Sequence, residues 1–144
     1  MTCYLLDTNV LIPLLWPNHT SQAKVLKWFR ANAEDSFATC SLTQAGFLRI
    51  TTTPAAMKAV YKLREAKQLL FECTQRPGHN FLPTNISIFE AMAPFEKRMH
   101  GAKQITDAYL LGIAKHHGAK LVTFDKAIKS LAGAEYSRIV ELIS

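Results

Sequence analysis

The feature that most constrains the fold of this chain is a repeated alternation between short apolar runs of strand length and longer segments with helical periodicity. The strand-length runs lie at residues 3–7, 36–41, 120–124 and 138–143. In the intervening segments many apolar side chains recur three or four residues apart, which is the spacing of an amphipathic helix. Strands that alternate with helices predict an α/β fold, in which right-handed crossovers build a mostly parallel central sheet with helices on both faces.

The predicted helices have recognisable boundaries. Helical segments are expected at residues 10–16, 20–32, 43–50, 53–71, 87–93, 105–118 and 125–133. Pro13 is expected to interrupt the first helix, while Thr53 and Pro54 form an N-cap and first-turn pair and Ser87 is another N-cap. Residues 74–85 contain two prolines, a glycine and two asparagines. They are therefore predicted to form a loop with at most a short strand.

The composition is that of a globular protein of domain size. With 144 residues, 49% of them hydrophobic and 19% charged, we expect residues 1–144 to form a single domain. No apolar run reaches the roughly 20 residues that a membrane-spanning helix needs, and the first residues lack the pattern of a signal peptide. Cys3, Cys40 and Cys73 have no metal-binding spacing and are expected to stay reduced. These features predict a cytoplasmic protein with no membrane partner.

Three aspartates, Asp7, Asp107 and Asp125, lie far apart in the sequence, yet each stands where a predicted strand ends or a predicted helix begins. Asp7 and Asp125 end strands, so they belong at the carboxyl edge of a parallel sheet. Asp107 lies in the first turn of a helix that runs antiparallel to the strands, and Gln44 lies in the first turn of the helix after the second strand. All four positions are predicted to meet at the edge where open α/β sheets bind ligands.

Each aspartate alone has a simpler explanation, because an acidic residue at the start of a helix stabilises it by about 0.3–2 kcal/mol. Three carboxylates at one edge repel one another, however, unless a cation or a proton intervenes. Mg²⁺ and Mn²⁺ prefer hard oxygen ligands and keep several waters for reaction. A net charge of +6 favours anionic partners. The combination predicts a divalent cation that acts on a phosphate-bearing substrate.

Four segments in order carry a resemblance to a known family: LLDTNVLI, SLTQAGFLRI, TDAYLLGIAKHHG and VTFD. Together they resemble the PIN-domain nucleases, specifically the VapC toxins of bacterial toxin–antitoxin systems, over essentially the whole chain. The resemblance implies a PIN-like three-layer sandwich and a Mg²⁺- or Mn²⁺-dependent endoribonuclease that hydrolyses RNA such as tRNA or ribosomal RNA. It also implies a VapB-type antitoxin partner and a homodimer. Carried over by position, the catalytic metal ligands are Asp7, Asp107 and Asp125.

One position departs from the family pattern. Many PIN domains have a glutamate in the helix after the second strand, where this chain has Gln44. A glutamine can offer its carbonyl oxygen but no negative charge, so we expect a site that holds one cation at rest. Thr8, Asn9 and Thr123 flank the acidic positions and are expected to orient the ligands or metal-bound waters. Turn capping is an equally good explanation for Thr8 and Asn9.

Four basic residues are candidates for contacting RNA phosphates: Arg49, Lys97, Arg98 and Lys103. The last three belong, with His100, to a basic connection that leads to the predicted metal site, so phosphates could track across it. Arg49 shares a helix with Gln44 and could contact phosphate or brace the acidic cluster. An ordinary solvated surface is the alternative for all of them.

Two other functions are compatible with part of this pattern. A non-catalytic PIN-like module for RNA binding or assembly would keep the fold and the charge, and Gln44 would then be a sign of lost activity. A phosphate-handling receiver-like domain also places acids at the carboxyl edge. That domain needs an aspartate to accept phosphate after its third strand, and the NFLPTN segment has none.

Overall fold

The computed structural model describes residues 1–54 and 61–144 of the chain. Its strands are β1 (Cys3–Leu6), β2 (Ser36–Thr39), β3 (His79–Phe81), β4 (Lys120–Thr123) and β5 (Val140–Leu142). Its helices are α1 (Thr8–Leu15), α2 (Gln22–Ala31), α3 (Ser41–Thr51), α4 (Leu63–Thr74), α5 (Ile88–Met92), α6 (Gln104–His116) and α7 (Lys126–Ala132). Short 3₁₀ turns occupy Glu96–Arg98 and Ser137–Ile139. The alternation of strands and helices predicted from the sequence is confirmed.

The strands of the described residues form one parallel sheet in the order β3-β2-β1-β4-β5. Leu5 in the central strand pairs with Ala38 of β2 on one side and with Leu121 of β4 on the other. The chain builds outward from β1 in both directions, first to β2 and β3 and later to β4 and β5. Such a reversal of strand order opens a crevice at the carboxyl ends of β1 and β4.

Alternate side chains of each strand point to opposite faces of the sheet, and each face carries its own apolar core. Leu5, Ala38 and Leu121 pack with residues of α6 and α7. Leu6 and Val122 point the other way and pack with residues of α1 to α4. The molecule therefore has the three-layer arrangement predicted from the sequence, with helices on both faces of an entirely parallel sheet.

Helix α6 is the best-buried helix on its face, as its nearly uniform apolar sequence predicts. Residues 110–114 are all buried. Gly112 lets α5 approach closely, because a Cβ atom at this position would lie only 2.5 Å from the Cβ of Ala91. Asp107 lies in the first turn of this helix. The close packing of α5 and α6 therefore supports the element that carries one of the three aspartates.

Two predicted boundaries were wrong. Pro13 lies inside α1 and does not interrupt it, because it forgoes one hydrogen bond in a helix whose residues 10–15 are all buried. The second is the helix predicted from Thr53, because Tyr61 and Lys62 are not helical and α4 begins at Leu63. The Thr53 hydroxyl donates to the carbonyl of Arg49 at the end of α3, and its predicted role as an N-cap depends on residues that the structure does not describe. Pro54 lies in a turn. Residues 55–60 of the predicted helix lie outside the described residues, and α4 ends at Thr74, beyond the predicted end.

Candidate active site

Asp7 lies at the crevice where the strand order reverses. Its backbone N–H donates to Val122 O at 2.9 Å, which extends the pairing of β1 with β4 by one residue. Its carboxylate is the N-cap of α1, with Oδ1 accepting the Thr8 N–H at 2.7 Å. The side chain is only 8% exposed. Burial raises the pKa of the Asp7 carboxyl and the charge of Asp125 adds to the effect, whereas the hydrogen bonds from Thr123 and Thr8 oppose it.

The hydroxyl of Thr123, at the end of β4, connects three of the predicted residues. It donates to Asp7 Oδ2 at 2.8 Å and accepts the backbone N–H of Asp125 at 3.0 Å. Asn9 Nδ2 also donates to this hydroxyl at 3.2 Å, and Asn9 Oδ1 accepts the Phe124 N–H at 3.3 Å. Thr123 is fully buried. Its contacts place Asp7 and the start of the Asp125 segment in a fixed relation, and Asn9 braces them from α1.

Asp125 is the N-cap of α7. Its Oδ1 accepts the Ala127 N–H at 2.9 Å, so one carboxylate oxygen is used by the helix start. The structural explanation for an acid at this position is therefore correct, as it is for Asp7. Capping uses one of the two oxygens of Asp125, and Oδ2 remains available to another partner.

Asp107 reaches the same region from α6. Burial raises the pKa of the Asp107 carboxyl to about 6, and the negative charges of Asp7 and Asp125 contribute in that order. The charges of both other aspartates therefore act on the Asp107 carboxyl. The structure therefore places the aspartates that follow β1, lie in α6 and follow β4 at the same edge of the sheet.

The three carboxylates do not form a finished coordination shell. Across residues 1–54 and 61–144, no group of three His, Cys, Asp or Glu side chains is positioned to hold a metal ion. The donors themselves are hard oxygens on three buried or half-buried side chains, and they match the preference of Mg²⁺ and Mn²⁺.

Gln44 lies in the first turn and a half of α3, beside this group. Its side-chain Nε2 donates to Thr39 Oγ1 at 3.0 Å. Two residues later, Gly46 allows α3 to press against the start of α1, since a Cβ atom there would lie 2.5 Å from Thr8 Oγ1. Thr8 follows Asp7 directly, so this contact brings the helix that carries Gln44 next to the acidic group.

The structure does not support a substrate contact for Arg98. Its guanidinium donates to Leu131 O at 2.8 Å, Ala132 O at 2.9 Å and Pro94 O at 3.2 Å. Leu131 and Ala132 are the last residues of α7, whose first turn follows Asp125. Arg98 therefore caps the end of α7 that points away from the acidic group, and the charge predicted to bind phosphate instead satisfies helix carbonyls.

The other predicted basic residues differ in position. Arg49 lies in the last turn of α3, roughly 12 Å along the axis from its start at 1.5 Å per residue, and so lies towards the opposite edge of the sheet. Lys97 shares a 3₁₀ turn with Arg98, and this turn packs against α7. Lys103 is exposed at the start of α6, one helical turn before Asp107. Of the four, only Lys103 stands at the acidic edge.

Sequence reasoning missed two residues next to this site. Thr39, at the carboxyl end of β2, is fully buried and holds the Gln44 side chain. His79 Nε2 lies 2.8 Å from Thr39 Oγ1. The position of Thr39 as the last residue of a strand was a usable signal. No spacing in the sequence links His79 to it, because the pairing of β2 with β3 creates the contact.

The described helices include none that is both long and apolar enough to cross a lipid bilayer.

Comparisons with known proteins agree with this fold. The family model of the PIN domain matches residues 4–134. "Ribonuclease VapC38" from Mycobacterium tuberculosis (strain ATCC 25618 / H37Rv) is 37% identical over 140 residues, which cover 97% of each chain. "Ribonuclease VapC39" from Mycobacterium tuberculosis (strain CDC 1551 / Oshkosh) is 34% identical over 130 residues, covering 90% of this chain and 94% of its own.

Solved structures with low sequence identity share the fold. The VapBC2 structure from Rickettsia felis, bound to a DNA fragment from its promoter, has a chain that matches with a TM-score of 0.63 at 16% identity and covers 99% of this chain and 100% of its own. FitAcB from Neisseria gonorrhoeae matches with a TM-score of 0.62 at 20% identity, covering 98% and 96%. The family model, the identity to curated relatives and the parallel sheet lead to the same conclusion: the chain belongs to the PIN domain family, among the VapC proteins.

Proposed function

We propose that this protein is a metal-dependent endoribonuclease and the toxin component of a type II toxin–antitoxin system. The observation that carries the proposal is the placement of Asp7, Asp107 and Asp125 at the crevice between β1 and β4, where burial raises the pKa of Asp7 and Asp107 and the charges of neighbouring aspartates raise it further. Proteins related over most of the chain are named ribonucleases. The reaction is hydrolysis of an RNA phosphodiester, in which water adds to phosphorus and a ribose oxygen leaves.

Asp7, Asp107 and Asp125 would hold a Mg²⁺ or Mn²⁺ ion. Such an ion, when bound, lowers the pKa of water and neutralises charge on the phosphate oxygens. The raised pKa of Asp107 supports this assignment, because a carboxyl that is costly to ionise alone gains most from a nearby cation. Thr123 holds Asp7 in place through a 2.8 Å hydrogen bond. Without the Thr123 hydroxyl, the buried Asp7 carboxylate would keep only the hydrogen bond from the Thr8 N–H.

Of the four basic residues predicted from the sequence to contact RNA, Lys103 is the one placed to attract a phosphate towards the aspartates, because it is exposed and lies one turn before Asp107. The net charge of +6 supports a polyanionic substrate in general. Structured RNA such as tRNA or ribosomal RNA is the substrate class that the family resemblance implies.

A non-catalytic RNA-binding or assembly module is the second candidate function. Two observations favour it: the aspartates do not form a ready-made metal group among the described residues, and Gln44 stands where many PIN domains have a glutamate. It predicts RNA binding without cleavage under any metal condition.

Cleavage of a cellular RNA pool separates these functions. We expect the wild-type protein to produce discrete cuts with Mg²⁺ or Mn²⁺ and none with a chelator, and the Asp7→Asn variant to produce none. Glu34→Gln is the matched control, because Glu34 is an exposed acid just before β2, at the opposite edge of the sheet. Equal cleavage by the wild type and Asp7→Asn would exclude Asp7 from the catalytic site and contradict the proposal. Binding without cuts would favour the module.

We also propose a VapB-type antitoxin and a second copy of this chain as partners. The solved structures that share the fold include one named as a toxin-antitoxin complex from Klebsiella pneumoniae, with a TM-score of 0.61. The exposed apolar side chains of Leu63 and Phe71 on α4 support a protein partner, since each is more than half exposed. Co-purification with a co-expressed antitoxin and the mass of the isolated chain in solution test these two partners separately.

The proposed setting is the cytoplasm, and the proposed organisation is a single domain over residues 1–144. An RNA substrate and three free cysteines support the first. The second is supported by the sheet, because its central strand comes from the start of the chain and its edge strand β5 from the end.

A further inference from the structure

A continuous chain of hydrogen bonds runs from His79 through Thr39 to Gln44. Gln44 Nε2 donates to Thr39 Oγ1 at 3.0 Å, and His79 Nε2 lies 2.8 Å from the same oxygen. Thr39 is fully buried, and His79 is half-buried with its ring edge against Phe37 at a centroid distance of 5.3 Å. No buried polar side-chain atom in the described residues lacks a partner. Nothing in the proposed cleavage reaction requires this series of hydrogen bonds.

This series of hydrogen bonds ends at Gln44, beside the three aspartates. Thr39 follows Ala38, which pairs with Leu5, so Thr39 lies next to Leu6, the residue before Asp7. Neighbouring strands lie about 4.8 Å apart. The Gly46 contact with Thr8 fixes the start of α3 at the same place. Gln44 is therefore anchored one strand away from Asp7.

The direction of the hydrogen bonds determines which end of the Gln44 amide is free. A threonine hydroxyl has one proton to donate, and a neutral histidine carries a proton on one ring nitrogen only. Because Thr39 Oγ1 accepts from Gln44, its own proton is available to His79 Nε2. Burial lowers the pKa of His79, which favours the neutral ring that can accept this proton. Gln44 Oε1 then accepts no hydrogen bond from any residue described by the structure.

We propose that Thr39 and His79 are positioning residues that hold the Gln44 amide with its carbonyl oxygen turned towards Asp7, Asp107 and Asp125. This inference rests on the proposed metal-dependent function and adds to it a specific role for Gln44. Gln44 would supply a neutral oxygen to the cation or to its bound water, where a glutamate would supply a charge. The reverse arrangement, with His79 donating to Thr39 and Thr39 to Gln44 Oε1, would turn the NH₂ group towards the cation and repel it.

The protonation of the two ring nitrogens of His79 shows the direction of the hydrogen bond between Thr39 and His79. In the Mg²⁺-saturated wild-type protein, ¹⁵N-resolved NMR of the histidines should show His79 protonated at Nδ1 and unprotonated at Nε2. A His79 ring protonated at Nε2 could not accept the Thr39 proton, and this result would overturn the proposal. This measurement needs no substitution, so it does not depend on the folding of a variant.

Substitution of Thr39 tests the consequence for metal binding. Thr39→Val keeps the side-chain shape and removes the hydroxyl, and we expect the affinity for Mn²⁺ measured by calorimetry to fall about 10-fold or more, as for other residues that orient metal ligands. Thr39→Ser should keep the wild-type affinity. Thr51→Val is the matched control, because Thr51 is another fully buried threonine whose hydroxyl bonds within α3, to Phe47 O at 2.7 Å.

Unchanged Mn²⁺ affinity in folded Thr39→Val would overturn the positioning role. Failure of the proposed function has a different signature. In that case the wild-type protein would show no Mn²⁺ binding that Asp7→Asn removes, and the inference would fall with the function. Mn²⁺ binding that Asp7→Asn removes and that Thr39→Val leaves unchanged would support the proposed function and overturn only the positioning role of Thr39.

Discussion

Asp107 is the residue whose charge depends most on its neighbours. Its pKa rises from 3.8 to about 6 because of burial first and then the charges of Asp7 and Asp125. The folded state therefore binds more protons than the unfolded state between these two values. By linkage, the stability of the metal-free protein falls as the pH rises through this window. Asp7 acts in the same direction, because its pKa is also raised.

The free energy of unfolding of the metal-free protein should accordingly decrease between about pH 4 and pH 6. Asp107→Asn cannot ionise, so this variant should show a smaller decrease and a higher stability than the wild type at pH 7. Mg²⁺ should raise the stability of the wild type at pH 7, because it binds the folded state. Denaturant titrations across the pH range measure these effects. Equal pH dependence of the wild type and Asp107→Asn through this window would contradict the electrostatic coupling.

We expect Gln44 to set the number of cations. With three carboxylates and a neutral amide, we expect one Mn²⁺ per wild-type chain in the absence of RNA. Gln44→Glu adds a fourth carboxylate and should allow a second Mn²⁺ to bind, because carboxylate charge increases the attraction for a hard cation. Isothermal titration gives the number directly. Gln75→Glu, an exposed change at the end of α4, is the control. Two cations bound to the wild type without RNA would contradict this interpretation.

At the level of single residues, the sequence indicated the three aspartates because each stands at a strand end or helix start. It could not indicate their separation, which depends on repulsion and burial. It also could not assign Arg98, since the carbonyls that occupy its guanidinium lie 33 and 34 residues further along the chain. A charge next to a predicted site is informative only when its other partners are known.

The elements owe their positions to a few close contacts, and the end of α7 is one of them. Arg98→Ala removes a guanidinium that donates to three carbonyls, and hydrogen bonds from charged groups contribute about 1.5–3 kcal/mol. We expect a loss of stability of that order, measured by denaturant unfolding, with RNA affinity nearly unchanged. Arg98→Lys should not restore the stability, because an ammonium cannot reproduce the planar fork.

The neighbouring Lys97→Ala is the control for the Arg98 variant, since Lys97 is exposed in the same 3₁₀ turn. It should leave the stability unchanged. If Arg98→Ala instead weakened RNA binding while the stability stayed at the wild-type value, the substrate contact predicted from the sequence would be correct after all.

The contact between α3 and α1 places Gln44. In Gly46→Ala the added Cβ would lie 2.5 Å from Thr8 Oγ1, so α3 must shift or Thr8 must rotate. Overpacking of this kind costs about 1–3 kcal/mol, and displacement of Gln44 should lower the Mn²⁺ affinity as well. The double variant Thr8→Ala/Gly46→Ala removes the clashing atoms and should recover most of both losses. Additive losses in the double variant would exclude this contact as the cause.

Element types were predictable where the periodicity was long, as in α6, and where turn residues bounded a strand, as in β1. Boundaries were less predictable because remote contacts decide them. The helix predicted from Thr53 instead begins at Leu63 in the described residues, as α4. Burial of residues 10–15 outweighs the expected break at Pro13, so local preference yields to packing there.

At the scale of the whole molecule, the parallel sheet explains why residues 7, 44, 107 and 125 can share one site. Strand ends and antiparallel helix starts fall on the same edge, and the reversal of strand order at β1 opens the crevice there. This relation follows from the alternation of strands and helices, so it could be predicted from the sequence. The hydrogen bond of Thr39 with His79 could not, because it depends on β3 pairing with β2.

The central claim is that Asp7, Asp107 and Asp125 together hold one divalent cation. Calorimetric titration with Mn²⁺ of the wild type, of the three single Asp→Asn variants and of Glu34→Gln tests it most directly. We expect one Mn²⁺ per wild-type and Glu34→Gln chain, and a loss of affinity in each Asp→Asn variant beyond the roughly 10–100-fold typical of residues that only orient ligands. Wild-type affinity in any one of the three Asp→Asn variants would contradict the claim.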